Sequence, residues 1–169
     1  MTYTRSPSYL LRPITSLFFL FCFTIPVSFA EPDTSVITRI EPEGLYDHPA
    51  YTHLITAEGD TRILYVAGQV AADVNGRCMG EGDWTAQYIK VMENLKLALA
   101  GGGATLKDVV FIRRFVTNID EFFAAIRNPD KPVPDYWGGK LPASTLIEVK
   151  RLADKCFLME FDVIAVTKR

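Results

Sequence analysis

Apolar residues recur along this chain in two rhythms, and each change of rhythm marks an element. Residues 36–40 alternate as a short strand, and 41–49 hold two prolines and a glycine and read as a loop. Residues 51–55 and 62–67 alternate again, joined through Glu58-Gly59-Asp60, which is the chemistry of a hairpin. Gly68-Gln69-Val70 follows, then a turn-rich loop with Asp73, Asn75, Gly76, Gly80 and Gly82. From Trp84 the period lengthens to about 3.6 residues. Trp84, Tyr88, Val91, Met92, Leu95, Ala98 and Leu99 form one stripe of a helix that Asp83 caps and Gly101-Gly102-Gly103 stops. Residues 109–116 are a strand rich in β-branched and aromatic side chains. Asn118 or Asp120 caps a shorter helix at 121–127, which ends before Asn128-Pro129. Two strands, 145–151 and 157–166, close the chain around Ala153-Asp154-Lys155. The order β-β-β-α-β-α-β-β predicts an α+β domain with two helices on one face of a mixed sheet.

The first 30 residues are of another kind. Arg5 and Arg12 precede an apolar run, 14–27, and Ser28-Phe29-Ala30 supplies small residues at the −3 and −1 positions of a cleavage site. That is the pattern of a secretory signal peptide. Pro26 interrupts the run, and about 20 apolar residues are needed to span a bilayer, so a membrane anchor is the weaker reading. The mature chain would start near Glu31, with 31–35 as a polar leader and 31–169 as one domain, free of the membrane once the signal is cleaved.

Cleavage removes two arginines and no acid, leaving 16 basic side chains (18 less 2) against 20 acidic ones, a formal net charge of −4. Such a balance speaks against nucleic acid as a partner. It also leaves two cysteines, Cys78 and Cys156, in an oxidising compartment where they could pair if their Cα atoms approach closely enough.

The chain is organised around 138–149. Gly138 and Gly139 give a flexible approach, Pro142 fixes φ, and 144–149 run as a strand whose mouth offers hydroxyls and free N–H groups to a small ligand. Here the chain resembles the Rid (YjgF-like, reactive intermediate deaminase) family, whose signature reads Pro-Ala-Arg-Ser/Thr. Pro142, Ala143 and Thr145 match, and Ser144 stands at the arginine position. Further matches follow in order: Tyr51-Thr52-His53, Ala67-Gly68-Gln69-Val70, Gln87, Asn94-Leu95, Asp108-Val109, Asp120-Glu121-Phe122 and Glu160 before Ile164-Ala165-Val166. The resemblance implies a chorismate-mutase-like fold, a homotrimer, and small-molecule clefts between neighbouring subunits, without a cofactor. It also implies Glu160 as the group that activates water, with Tyr51, Gly68, Ser144 and Thr145 around the ligand. Replacement of the arginine by Ser144 removes the guanidinium that would hold a substrate carboxylate, so an altered substrate is expected.

The residues themselves leave alternatives open. Alternation puts Glu160 and Asp162 on one mainly apolar face, where like charge would favour a retained proton on one of them. The bland reading is an acid that is salt-bridged or at the rim. Arg113 and Arg114 face opposite ways, and each needs a partner; an acid, Glu160 or Asp162 included, is the first choice, and replacement of the missing arginine the second. Trp137 either walls the cleft or fills a subunit interface, the latter preferred. His48 and His53 with Asp47 fit no common metal spacing, so no metal is expected. Two functions remain: hydrolysis of an imine or enamine, and a non-catalytic small-molecule-binding trimer. Ribonuclease action is disfavoured by charge.

Overall fold

The computed structural model describes residues 36–46 and 48–169. The signal sequence and leader read in the sequence, and Asp47, lie outside the described residues. Six strands and two helices follow in the expected order: β1 (Val36–Ile40), β2 (Leu54–Glu58), β3 (Thr61–Val70), α1 (Trp84–Gly101), β4 (Val109–Val116), α2 (Ile119–Ile126), β5 (Ala143–Glu148) and β6 (Met159–Lys168). A single 3-10 turn, Leu106–Asp108, leads into β4.

Both helices start where their caps dictate. The Asp83 carboxylate accepts from the Ala86 N–H, and the Asn118 side chain accepts from the Glu121 N–H. α1 buries Tyr88, Val91, Met92, Leu95 and Leu99 of the stripe read in the sequence, while Trp84 and Ala98 are half-buried. Gln87 is also fully buried, a polar residue that the stripe does not explain. Its amide donates to the Gly80 and Cys156 carbonyls and accepts from the Leu158 N–H, so it ties two loops to the helix. The Cys78–Cys156 disulfide joins the same two loops, with Cα atoms 6.3 Å apart.

The main sheet runs β3-β6-β4-β5. β6 is antiparallel to β3 and β4, and β5 is parallel to β4. Met159, Phe161, Val163 and Ala165 of β6 are buried, with Phe161 in edge-on contact with Tyr88 of α1 and Phe122 of α2. Both helices therefore cover one face. The opposite face carries Ile63, Tyr65, Arg113, Thr145, Ile147, Glu160 and Asp162, and on it Tyr65 is 78% and Ile63 54% exposed.

Three expectations change. The strand placed at 51–55 is β2 at Leu54–Glu58, because the Thr52 N–H donates to the Pro142 carbonyl and its hydroxyl to the Leu141 carbonyl. β2 and β3 turn at Gly59 (φ 84°) but do not pair as a hairpin. β2 pairs with β1 in a separate two-stranded sheet, while the Asp60 carbonyl accepts from the Arg169 N–H and steers β3 onto β6. The last two strands also shift, to Ala143–Glu148 and Met159–Lys168, by up to two or three residues at each end.

Candidate functional site

The parallel register of β4 and β5 sets Ser144 opposite Ile112 and Leu146 opposite Arg114, so Ser144, Leu146 and Arg114 all look toward the helices. There they line a cavity of about 380 Å³ with Tyr51, Tyr88 and Trp137. Tyr51 enters because Thr52 is bound to the Leu141–Pro142 carbonyls, which carries the chain across the mouth of β5. His48 stacks on the Tyr51 ring at 4.3 Å between centroids, and His53 meets it edge-on at 5.2 Å. Nδ1 of His48 accepts from the Ala50 N–H, and Nε2 of His53 lies 2.7 Å from the Tyr46 carbonyl. These histidines frame the tyrosine. Trp137, expected first at a subunit interface, is a wall of this cavity and 9% exposed.

Arg114 is the polar centre of the cavity. Its Nη1 donates to the Ser144 Oγ at 2.7 Å. Among the described residues no acid pairs with it, contrary to the first expectation for this residue. Withdrawal from water pulls its pKa below the ordinary arginine value, and the nearby Tyr88 partly opposes that shift. Burial likewise pushes the Tyr88 hydroxyl up.

Glu160 lies elsewhere. On β6 it faces away from the helices, with its carboxylate laid across the β-bulge of β3 at Gly68. A Cβ built on Gly68 would stand 1.9 Å from Glu160 Oε1, so only glycine lets the carboxylate lie there. On this face Arg113 Nε donates to Asp162 Oδ1 at 2.9 Å, as expected of an arginine beside an acid. That pair offsets the charge of Asp162 on the face it shares with Glu160. Thr145 stands across from Arg113 on the same face, exposed.

The sequence therefore named two groups that one chain does not bring together. Tyr51 and Ser144 share the cavity under the helices; Gly68, Thr145 and Glu160 share the open face of the sheet. Arg114, for which replacement of the missing arginine was the second reading, is the charged group that β4 places in the cavity beside Ser144. Its signal was an arginine between Ile112 and Val116 on the apolar side of its strand. Among the described residues no group of three or more potential ligands is arranged to hold a metal, and no helix is long and apolar enough to cross a membrane.

Residues 42–167 match the family model described as Endoribonuclease L-PSP, and the chain belongs to that family, which is the YjgF/Rid family. A RutC family protein of Pyrococcus abyssi is 32% identical over 102 residues, 60% of this chain and 76% of the relative. The 3-aminoacrylate deaminase RutC of Acinetobacter baylyi is 29% identical over 110 residues, 65% of this chain and 82% of the relative. Among solved structures, the Rid family protein YyfB of Yersinia pestis is 32% identical with a TM-score of 0.66, over 76% of this chain and 97% of that one. A YjgF-family protein of Mycobacterium tuberculosis is 26% identical with a TM-score of 0.51, over 69% and 86%.

Proposed function

We propose that this chain is an exported, homotrimeric imine or enamine hydrolase whose cleft is assembled from two neighbouring chains. The observation that carries the reading is the placement of its parts on opposite faces of one sheet. The cavity with Tyr51, Ser144 and Arg114 holds a small molecule under the helices, while Glu160 waits on the exposed face. A second chain laid against the edge of the cavity would bring its own Glu160 and Gly68 to the ligand. The apolar, solvent-facing Ile63 and Tyr65 give that second chain a surface to cover. The deaminase activity named for the Acinetobacter relative supports the chemistry.

In the reaction, the Glu160 carboxylate takes a proton from water as the water oxygen adds to the imine carbon. Glu160 returns that proton to the nitrogen, giving the tetrahedral carbinolamine, and then carries the hydroxyl proton to nitrogen as the intermediate collapses. The C–N bond breaks, ammonia leaves, and a carbonyl compound remains, so one imine and one water give one carbonyl and one ammonia. Export is supported by the signal-peptide pattern of residues 1–30 and by the Cys78–Cys156 disulfide.

The test is ammonia release from imines generated in situ by an amino-acid oxidase, with wild type and Glu160→Gln. Acceleration by wild type and a loss of about a hundredfold or more in the variant are expected for removal of a general base. Equal rates, with ligand still bound, would leave the non-catalytic binding trimer as the function.

A further inference from the structure

The cavity beneath the helices is lined by basic side chains and no acid, although position 144 carries a serine. Four observations converge. Arg114 is drawn largely out of water, and its burial is unfavourable enough to lower its pKa. It has no carboxylate partner among the described residues, whereas its neighbour Arg113, on the other face, has Asp162. The residues lining the cavity include Arg114, Arg127 and His48, and no aspartate or glutamate. Arg127 is itself held over the Phe123 ring, 4.4 Å from guanidinium carbon to centroid.

A guanidinium has five N–H donors in a rigid fork, and Ser144 takes one of them. That single bond fixes the rotation of the fork and leaves the others for a ligand. A carboxylate is the planar, two-oxygen anion that such a fork matches. The hydroxyl of Ser144 accepts from Arg114 and keeps its own proton, a further donor at the same spot. The rest of the wall is apolar and aromatic: Tyr88, Phe122, Trp137, Ile126 and Leu146.

We propose that Arg114, delivered from β4 and steadied by Ser144, is the carboxylate anchor of this cavity, and that its ligand is a monocarboxylate bearing an aromatic or bulky apolar group. Resting on the hydrolase reading, Arg114 would hold the carboxylate end of the imine. The anchor has moved one strand across, from the position of Ser144 to that of Arg114. Ser144→Arg would set a second guanidinium against the first.

The experiment is isothermal titration of the oligomer with phenylacetate, phenylacetamide and acetate. Phenylacetate is expected to bind at least about tenfold more tightly than its neutral amide, the difference of one charge-assisted contact, and more tightly than acetate, which lacks the ring. Arg114→Met should remove the preference for phenylacetate over phenylacetamide, Arg114→Lys should keep part of it, and Arg113→Met should leave it intact. The proposal is overturned if wild type does not distinguish the amide from the acid, if acetate binds as well as phenylacetate, or if folded Arg114→Met retains the preference. The preference in wild type decides even if Arg114→Met fails to fold. Anion binding that depends on Arg114, without ammonia release from any imine, would sink the hydrolase reading and leave this one standing. Ammonia release indifferent to Arg114 would do the reverse.

Discussion

Gly68→Ala separates the position of Glu160 from the stability of the fold. The new Cβ would lie 1.9 Å from Oε1, 2.8 Å from Cδ and 2.9 Å from Cγ of Glu160. Ordinary contact begins at 3.4 Å, so the nearest oxygen must withdraw by about 1.5 Å. Gly68 is not among the residues of positive φ, so an alanine backbone fits without strain. Loss of glycine freedom in the unfolded chain contributes about 0.4–1 kcal/mol of stability, and the atoms displaced are the end of a flexible side chain. Stability should therefore stay within about 1 kcal/mol of wild type. Turnover should not. A displacement of about 1 Å in a reacting group can cost about a hundredfold in rate, or about 2.7 kcal/mol. Thermal melts and kcat for ammonia release, measured on the same preparation, read the two effects separately. A variant that melts with wild type and keeps full kcat would refute the role given to the carboxylate where it lies. So would a Glu160→Gln variant far more active than Gly68→Ala.

Other consequences are local. The Cys78–Cys156 bond spans a sequence separation of 78 residues, and removing both thiols should destabilise the domain by about 2–5 kcal/mol, read from denaturant midpoints. Intact mass after alkylation without reductant should show neither thiol free. Tyr136 has a buried hydroxyl with no hydrogen-bond partner among the described residues, and burial pushes its pKa up to about 12. Tyr136→Phe should leave stability unchanged or raise it by up to about 1 kcal/mol, and a clear loss would mean the hydroxyl has a partner after all. Asp83 caps α1, and the Ala86 N–H holds its carboxyl below the usual value of 3.8. A depressed folded value gives stability that is present above the unfolded pKa and lost as pH falls through the folded one. Asp83→Ala should cost about 1 kcal/mol near neutrality. That deficit should fade in urea melts well below pH 3.8.

Local chemistry made the helices legible: the caps Asp83 and Asn118 and the stripe from Tyr88 to Leu99 are complete within a few residues of sequence. Contacts distant in sequence were not. Residues 51–53 alternate like a strand, yet the Thr52 N–H is spent on the Pro142 carbonyl, so pairing with β1 begins only at Leu54. Alternation also set Glu160 and Asp162 on one face of β6, as found, but Ser144 and Thr145, expected together at the ligand, fall on opposite faces of β5. Whether Ser144 and Glu160 share a face depends on the register through β4 between them, which neither strand encodes alone. For the same reason Arg113 and Arg114 were seen to diverge, but only the register showed that one meets Asp162 and the other Ser144.

The central claim is that one cleft takes Arg114 from one chain and Glu160 from its neighbour. Mixed oligomers of Arg114→Met and Glu160→Gln test it directly. Each variant alone should be nearly inactive toward the imine of an aromatic amino acid. Chains mixed one to one and reassembled at random in a ring should place an intact Arg114 beside an intact Glu160 at roughly one cleft in four. Ammonia release near a quarter of the wild-type rate is the expected result. Mixed oligomers that form, as native mass spectrometry would show, and stay as inactive as either parent would mean that no cleft combines the two residues from neighbouring chains, and would contradict the account.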